Sequence, residues 1–373
     1  MDLKRIWLSP PHQTGKELAY IQEALASNWV APGGEQSELF EKALSGYIQK
    51  EHVVLLSSGT AAIHLALKAL GVGQGDIVLC QSLTFIGSVN PVSYLGAIPV
   101  FIDSETTTWN ICPDALEQAI VFFRNKNKHP KAIIAVDLYG NPAQWTALNS
   151  LSQQYGIPLV EDAAEALGST YRNQKAGTLA EMGIYSFNGN KIITTSGGGA
   201  LVTNNSIVAD KVRYWSAQAR LKTRHYEHTE TGYNYQLSNI CAAIGRAQLE
   251  NLEKYVEAKR NIFRWYQKMM QHDVSFQREP DGTVSNRWLT VVQFDQNNLP
   301  YRINLEEAFE LFNIESRPVW KPMHLQPLFK TCRYFGGNNA ETLYQNGLCL
   351  PSGAGMDTEA FERIEMVIKK CFR

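Results

Sequence analysis

The chain lacks what would place it in several large classes of protein. No run of about 18 apolar residues occurs in it, so nothing reads as a membrane-spanning helix. The amino terminus, Met1 to Trp7, lacks the long apolar stretch of a secretory signal. Charge of one sign is also missing: 35 basic residues against 36 acidic ones leave a net charge of −1. That balance argues against nucleic acid or a membrane surface held by bulk charge, and for a small substrate. The six cysteines, at 80, 112, 241, 332, 349 and 371, form no CxxC pair, no zinc-spaced cluster and no disulfide framework. Reduced thiols in a cytoplasmic protein without a metal site are therefore expected. No GxGxxG opens the first strand-helix unit, which weighs against a nicotinamide-dependent enzyme. No internal repeat or low-complexity tract appears.

What is present is an α/β pattern on a chain of 373 residues, long enough for one large domain and a smaller one. Apolar strand signals recur at Val53–Leu56, Ile77–Cys80, Val100–Ile102, Ala132–Val136, Leu159–Val160, Gly183–Phe187 and Ala200–Val202. Helical spacing falls at Gly15–Ala26, Glu35–Gln49, Phe85–Leu95, Pro113–Arg124 and Gln144–Tyr155. A long amphipathic helix over Gln248–Met270 reads as the link to a small α+β domain, giving a division at 1–248 and 249–373. In open α/β sheets the ligand lies beyond the carboxyl ends of the strands, and the residues that punctuate those ends are Ser58, Thr60, Thr84, Phe85, Asp137, Asp162 and Lys191.

Ser186-Phe187-Asn188-Gly189-Asn190-Lys191 follows a strand and precedes Gly197-Gly198-Gly199 and another strand. A lysine on so tight a connection suits a Schiff base with a carbonyl cofactor, pyridoxal phosphate above all. The alternative is a surface lysine in a glycine-rich hairpin. Ser57-Ser58-Gly59-Thr60-Ala61 joins a strand to a helix and either cradles a phosphate on the free N–H groups of the helix start or merely caps it. Asp162, at the end of a strand, either holds a pyridinium N–H or caps a helix. Glu161 and Asp162 point to opposite faces, so one of them enters a site. Phe85 is a stacking ring or a core residue. The cations Arg213, Arg220, Lys222 and Arg224, mixed with aromatics, suit a nucleotide diphosphate or a solvated face. Pro318, Pro322 and Pro327 bracket His324, either in a loop that closes over substrate or as a packed loop histidine.

Taken together, Ser57–Ala62, Glu161–Gly168 and Ser186–Lys191, in this order and separation, resemble the nucleotide-sugar aminotransferases of the DegT/DnrJ/StrS family. The likeness runs from Trp29 to Leu350-Pro351-Ser352-Gly353. It implies a fold-type I aminotransferase with a large domain around a seven-stranded, mostly parallel sheet, a small C-terminal domain, and a homodimer with shared sites. It implies pyridoxal phosphate as cofactor, with Lys191 as the Schiff-base lysine, Asp162 on the pyridine nitrogen, and Phe85 stacked on the ring. Gly59, Thr60, Ala61 and Ser186 would hold the phosphate, Glu165 would lie near the ring hydroxyl, and Asn234 would reach the phosphate of the neighbouring subunit. Trp29, Asn188, Arg220 and His324 are the candidate substrate contacts. Lysine rather than histidine at 191 implies transamination rather than dehydration. The variant Ser-Phe-Asn-Gly-Asn-Lys resembles enzymes that aminate carbon 4 of a UDP-linked 4-keto-6-deoxy-N-acetylhexosamine, as in the making of bacillosamine-type sugars, with L-glutamate as donor. The alternatives are amination of carbon 3 on a dTDP-linked sugar and a non-catalytic binding or regulatory protein on the same fold, against which Lys191 and Asp162 speak.

Overall fold

The computed structural model describes residues 3–295 and 298–372. Seven strands build the large sheet: β1 (His52–Leu56), β2 (Ile77–Gln81), β3 (Ile98–Ile102), β4 (Ala132–Val136), β5 (Leu159–Asp162), β6 (Met182–Ser186) and β7 (Gly199–Thr203). Their order is β1-β7-β6-β5-β4-β2-β3. Only β7 runs against its neighbours, pairing antiparallel with both β1 and β6. An eighth strand beyond the seven, Tyr334–Phe335, comes from the carboxy-terminal part of the chain and pairs parallel with β3.

Alternation decides which side of the sheet each residue serves. Val54, Leu56, Val78, Cys80, Phe101, Ile134 and Val160 pack on one face, against the helix Gly59–Ala69. Ile77, Leu79, Val100, Ile133 and Ala135 pack on the other, against the helices Pro113–Arg124 and Trp145–Tyr155. Every residue of β4 is buried, as expected for a parallel strand covered on both sides, and this is why it reads as an unbroken apolar run. A four-stranded antiparallel sheet, Val274–Phe276, Thr290–Phe294, Gly347–Leu350 and Arg317–Pro318, lies in the last third of the chain with the helices Leu299–Leu311 and Thr358–Cys371. The amino-terminal segment reaches that region, where Ile6 bridges to Ile314.

Three boundaries differ from the sequence expectation. The first helix starts at Glu17, because Gly15 takes a left-handed φ of +87°. Phe85–Leu95 splits into a turn at Ile86–Ser88 and a short helix, Asn90–Tyr94, with Pro91 in its first turn, where a missing N–H costs no intrahelical bond. Gln248–Met270 is likewise two elements: Asn239–Leu249 ends at the chain reversal around Asn251, and Leu252–Met270 follows.

Candidate active site

The carboxyl ends of β1, β5 and β6 open onto one cleft of about 380 Å³. From β1 the chain passes through Ser57 and Ser58 into the helix Gly59–Ala69, with Ser58 Oγ accepting from Ala61 N at 3.0 Å. The cap uses the N–H of Ala61. Those of Gly59 and Thr60 have no acceptor within the helix, as in any first turn, so an anion is favoured there. The approach is close: a Cβ on Gly199 would lie 2.4 Å from Gly59 N, and one on Gly59 would lie 3.2 Å from Ser186 Cβ. At Gly199 only glycine leaves room for the backbone to close the cup, and at Gly59 a side chain would crowd Ser186.

Asp162 ends β5 on the face of Val160, and Glu161 turns the other way. The Glu161 carboxylate accepts from the N–H groups of Leu179 and Ala180 and plays no part in the cleft. Asp162 lines the cleft and accepts from Ser88 Oγ at 2.6 Å and from Ala164 N at 3.1 Å. Burial pushes its pKa up, while Ser88, Ala164 and the nearby charge of Lys191 pull it down.

Lys191 is the one lysine lining the cleft among the described residues. Its Nζ stands 3.5 Å from Glu165 Oε1 and 4.2 Å from the centre of the Trp288 ring. Burial raises the Glu165 pKa to about 7, outweighing the pull of Lys191 and of the Tyr139 N–H that donates to Oε2 at 2.6 Å. Tyr139 itself holds a left-handed φ of 57°, and its hydroxyl accepts from Trp320 N at 3.2 Å.

Of the residues named from sequence, Gly59, Thr60, Phe85, Asp162, Glu165, Ser186, Asn188 and Lys191 meet in this cleft. Phe85 is 57% exposed, unusual for so large a ring and consistent with a face left open for a ligand. Ala61 does not line the cleft. Asn234 is exposed and accepts from Gln218 Nε2 at 3.1 Å, outside the cleft of its own chain. Trp29, whose indole donates to Pro32 O, and Arg220, which stacks on Tyr226, also lie outside it. His324 is tied down elsewhere: one ring nitrogen meets Ser82 Oγ at 2.7 Å, the other Glu341 Oε1 at 3.1 Å, and the ring stacks on Tyr334. The proline-rich loop does reach the cleft, but through Trp320. Trp288, Trp320 and Ser88 were not singled out from sequence. Each acts through a contact far away in the chain, and nothing local separates these tryptophans from core residues.

Trp288, Trp320 and Asn190 also line a second cavity of about 780 Å³. Its further walls include Trp7, Pro10, Arg317, Lys321 and Tyr344. The two cavities adjoin, with Trp288, Trp320 and Asn190 lining both, and together are the recess.

The inner cleft fits pyridoxal phosphate. It offers an amine to meet an aldehyde, a buried carboxylate to meet a ring nitrogen, a glycine-walled helix start to meet a phosphate, and an open aromatic face. The aminotransferase family described as DegT/DnrJ/EryC1/StrS matches residues 11–369. The chain is 47% identical over 375 residues to EpsN of Bacillus subtilis (strain 168), covering 99% of this chain and 96% of that one; its name assigns it provisionally to the pyridoxal phosphate-dependent aminotransferases. It is 35% identical over 366 residues to the GDP-perosamine synthase of Caulobacter vibrioides, covering 97% of each. Among solved structures, PseC of Helicobacter pylori, an aminotransferase involved in the biosynthesis of pseudoaminic acid, superimposes with a TM-score of 0.90 at 25% identity over 99% of each chain. With the cleft, these likenesses settle the family: the chain belongs to the DegT/DnrJ/EryC1/StrS aminotransferases and is a sugar aminotransferase that uses pyridoxal phosphate.

Proposed function

We propose that this enzyme moves the amino group of L-glutamate to carbon 4 of a UDP-linked 4-keto-6-deoxy-N-acetylhexosamine, in the cytoplasm, for bacillosamine-type amino-sugar synthesis. The observation that carries a nucleotide sugar is the recess itself. The Lys191 amine lies in the inner cleft, and the larger cavity beyond Trp288 and Trp320 has room for a nucleotide, with Arg317 and Lys321 to meet a diphosphate and Trp7 to meet a base. Carbon 4 and UDP are supported by the Ser186–Lys191 variant. Among the described residues no helix is long and apolar enough to cross a membrane, which suits a reaction in solution.

Pyridoxal phosphate, when bound, supplies an aldehyde for the amine and a ring that withdraws electrons from the adjoining carbon. Asp162, itself held by Ser88, would keep the ring nitrogen protonated. Gly59, Thr60 and Ser186 would hold the phosphate, joined by Asn234 of the partner subunit in a homodimer. Phe85 would supply an aromatic face for the ring, and Glu165 would serve its hydroxyl. Lys191 Nζ takes the proton from the α-carbon of glutamate, and later delivers a proton to carbon 4 of the sugar. Glutamate leaves as 2-oxoglutarate before the keto sugar enters. The division at 1–248 and 249–373 then sets Lys191 in the large domain and Trp288 and Trp320 in the small one.

Turnover of UDP-, GDP- and dTDP-linked keto sugars, with the new amine located by NMR, tests the assignment. Fastest amination at carbon 4 of the UDP sugar is expected, and preference for carbon 3 of the dTDP sugar overturns it. A GDP-linked substrate is the second reading, favoured by the GDP-perosamine synthases that are 34–36% identical to this chain.

A further inference from the structure

We infer that Lys259, which lies outside the recess, is a positioning residue for the reaction: through Trp288 and Ser9 it fixes the carbonyl of Asn190, and with it the peptide that carries Lys191. Lys259 sits on the helix Leu252–Met270 and is 3% exposed. Its Nζ donates to Ser352 O at 2.7 Å, to Trp288 O at 3.0 Å and to Ser9 Oγ at 3.2 Å. Three donors thus meet three acceptors. The Trp288 indole N–H then donates to Asn190 O at 2.7 Å, and Ser9 Oγ donates to the same oxygen at 3.2 Å. Two arms leave one ammonium group and close on one carbonyl.

That carbonyl belongs to the peptide bond joining Asn190 to Lys191. The connection between β6 and β7 has no helix or strand of its own around it. The N–H side of this peptide is held locally, Lys191 N donating to Asn188 O at 3.0 Å, and its carbonyl side is held by the two arms. A second link runs the same way: Trp288, whose carbonyl Lys259 holds, presents its ring face to Lys191 Nζ.

Charge pairing does not explain a lysine here; the three buried acceptors it satisfies do. No carboxylate contacts Lys259 among the described residues, and burial lowers its pKa to about 7. A buried ammonium without an anion is costly, and a methionine of similar length would fill the space without that cost. What methionine lacks is the three donors. Small errors in the placement of a catalytic group are expensive in rate, which makes such an anchor worth its desolvation.

The inference rests on Lys191 being the lysine that joins the cofactor, and the test separates the two. Cofactor-free wild type, Lys259→Met, Ser9→Ala and Trp288→Phe are mixed with pyridoxal phosphate, quenched with borohydride at set times, and the modified peptide is quantified by mass spectrometry. The pH midpoint of the cofactor absorbance is measured alongside. Expected are a folded Lys259→Met that captures the cofactor on Lys191 at least about tenfold more slowly, and a displaced midpoint. Smaller changes in the same direction are expected for the two arm variants, and a Lys259→Met/Trp288→Phe double variant should be little worse than Lys259→Met. A folded Lys259→Met with wild-type capture rate and midpoint overturns the inference. If that variant does not fold, unchanged values in both Ser9→Ala and Trp288→Phe overturn it. Modification of a different lysine in the wild type removes the underlying role of Lys191, and the inference with it.

Discussion

Lys191 Nζ and Glu165 Oε1 stand 3.5 Å apart, with only 11% and 3% of their side chains open to water. Even with the lysine so near, burial holds the Glu165 pKa at about 7, so the folded protein keeps a proton there that the unfolded chain has lost. The sign follows from linkage: this proton favours the folded state at low pH, and the benefit is lost as pH rises from the ordinary carboxylate range through about 7. Glu165→Gln removes the dependence. In cofactor-free protein, thermal unfolding should show wild type losing stability relative to the variant between about pH 5 and about pH 7.5. A constant difference across that range would refute the assignment.

Asp162→Asn should impair turnover by about a hundredfold or more while the desalted protein retains most of its cofactor, because the phosphate contacts are untouched and only ring-nitrogen protonation is weakened. Ser88→Ala, which removes one donor from the carboxylate, should cost about three- to tenfold, the effect of a single hydrogen bond. Turnover and bound cofactor measured on the same samples decide both. Near-normal activity in Asp162→Asn would end the proposed role.

Much of this site was legible in the sequence because its parts follow strand ends. Ser58, Asp162 and Lys191 each close or follow an apolar strand, and the sheet brings those ends to one side, β5 beside β6 and β1 one strand further, across β7. What the sequence hid was action at a distance. Trp320 comes from a loop whose histidine attracted notice, yet His324 is held by Ser82 and Glu341. Trp288 reaches Asn190 across 98 positions, and no pattern within either window announces that bond. The parallel core read clearly since strands buried on both faces are continuously apolar, whereas the two-residue strand Tyr334–Phe335 is too short to leave a periodic mark.

Gly199→Ala should damage both fold and cofactor binding. The added methyl would lie 2.4 Å from Gly59 N and 2.5 Å from Ser58 C, backbone atoms that cannot swing away. Forcing them apart should cost about 1–3 kcal/mol of stability, and should widen the phosphate cup. Denaturant unfolding and a cofactor titration check the two effects, and a variant with normal affinity would show that the cup lies elsewhere.

Mixing Lys191→Ala with Asn234→Asp tests the shared site. Asn234 is exposed and outside the cleft of its own chain, where Asp would place an anion beside a neighbour's phosphate. Each parent should be inactive. After subunit exchange, a mixed dimer contains one site with both native residues, so partial activity should return. If exchange is verified and the mixture stays dead, the proposed reach of Asn234 across the dimer is lost.

The pairing of Tyr334–Phe335 with β3 has a consequence for how the chain is made. Without it β3 is an open edge, a row of unpaired N–H and C=O groups on a strand whose residues from Pro99 to Ile102 are all buried in the finished protein. Phe101 N bonds to Arg333 O and Asp103 N to Phe335 O, so the seal arrives only after more than 200 residues have followed β3. Until then the nascent sheet presents a template for pairing with other chains. Products that stop between Trp320 and Tyr334 should therefore aggregate through this edge even though every residue lining the cofactor cleft has already been made.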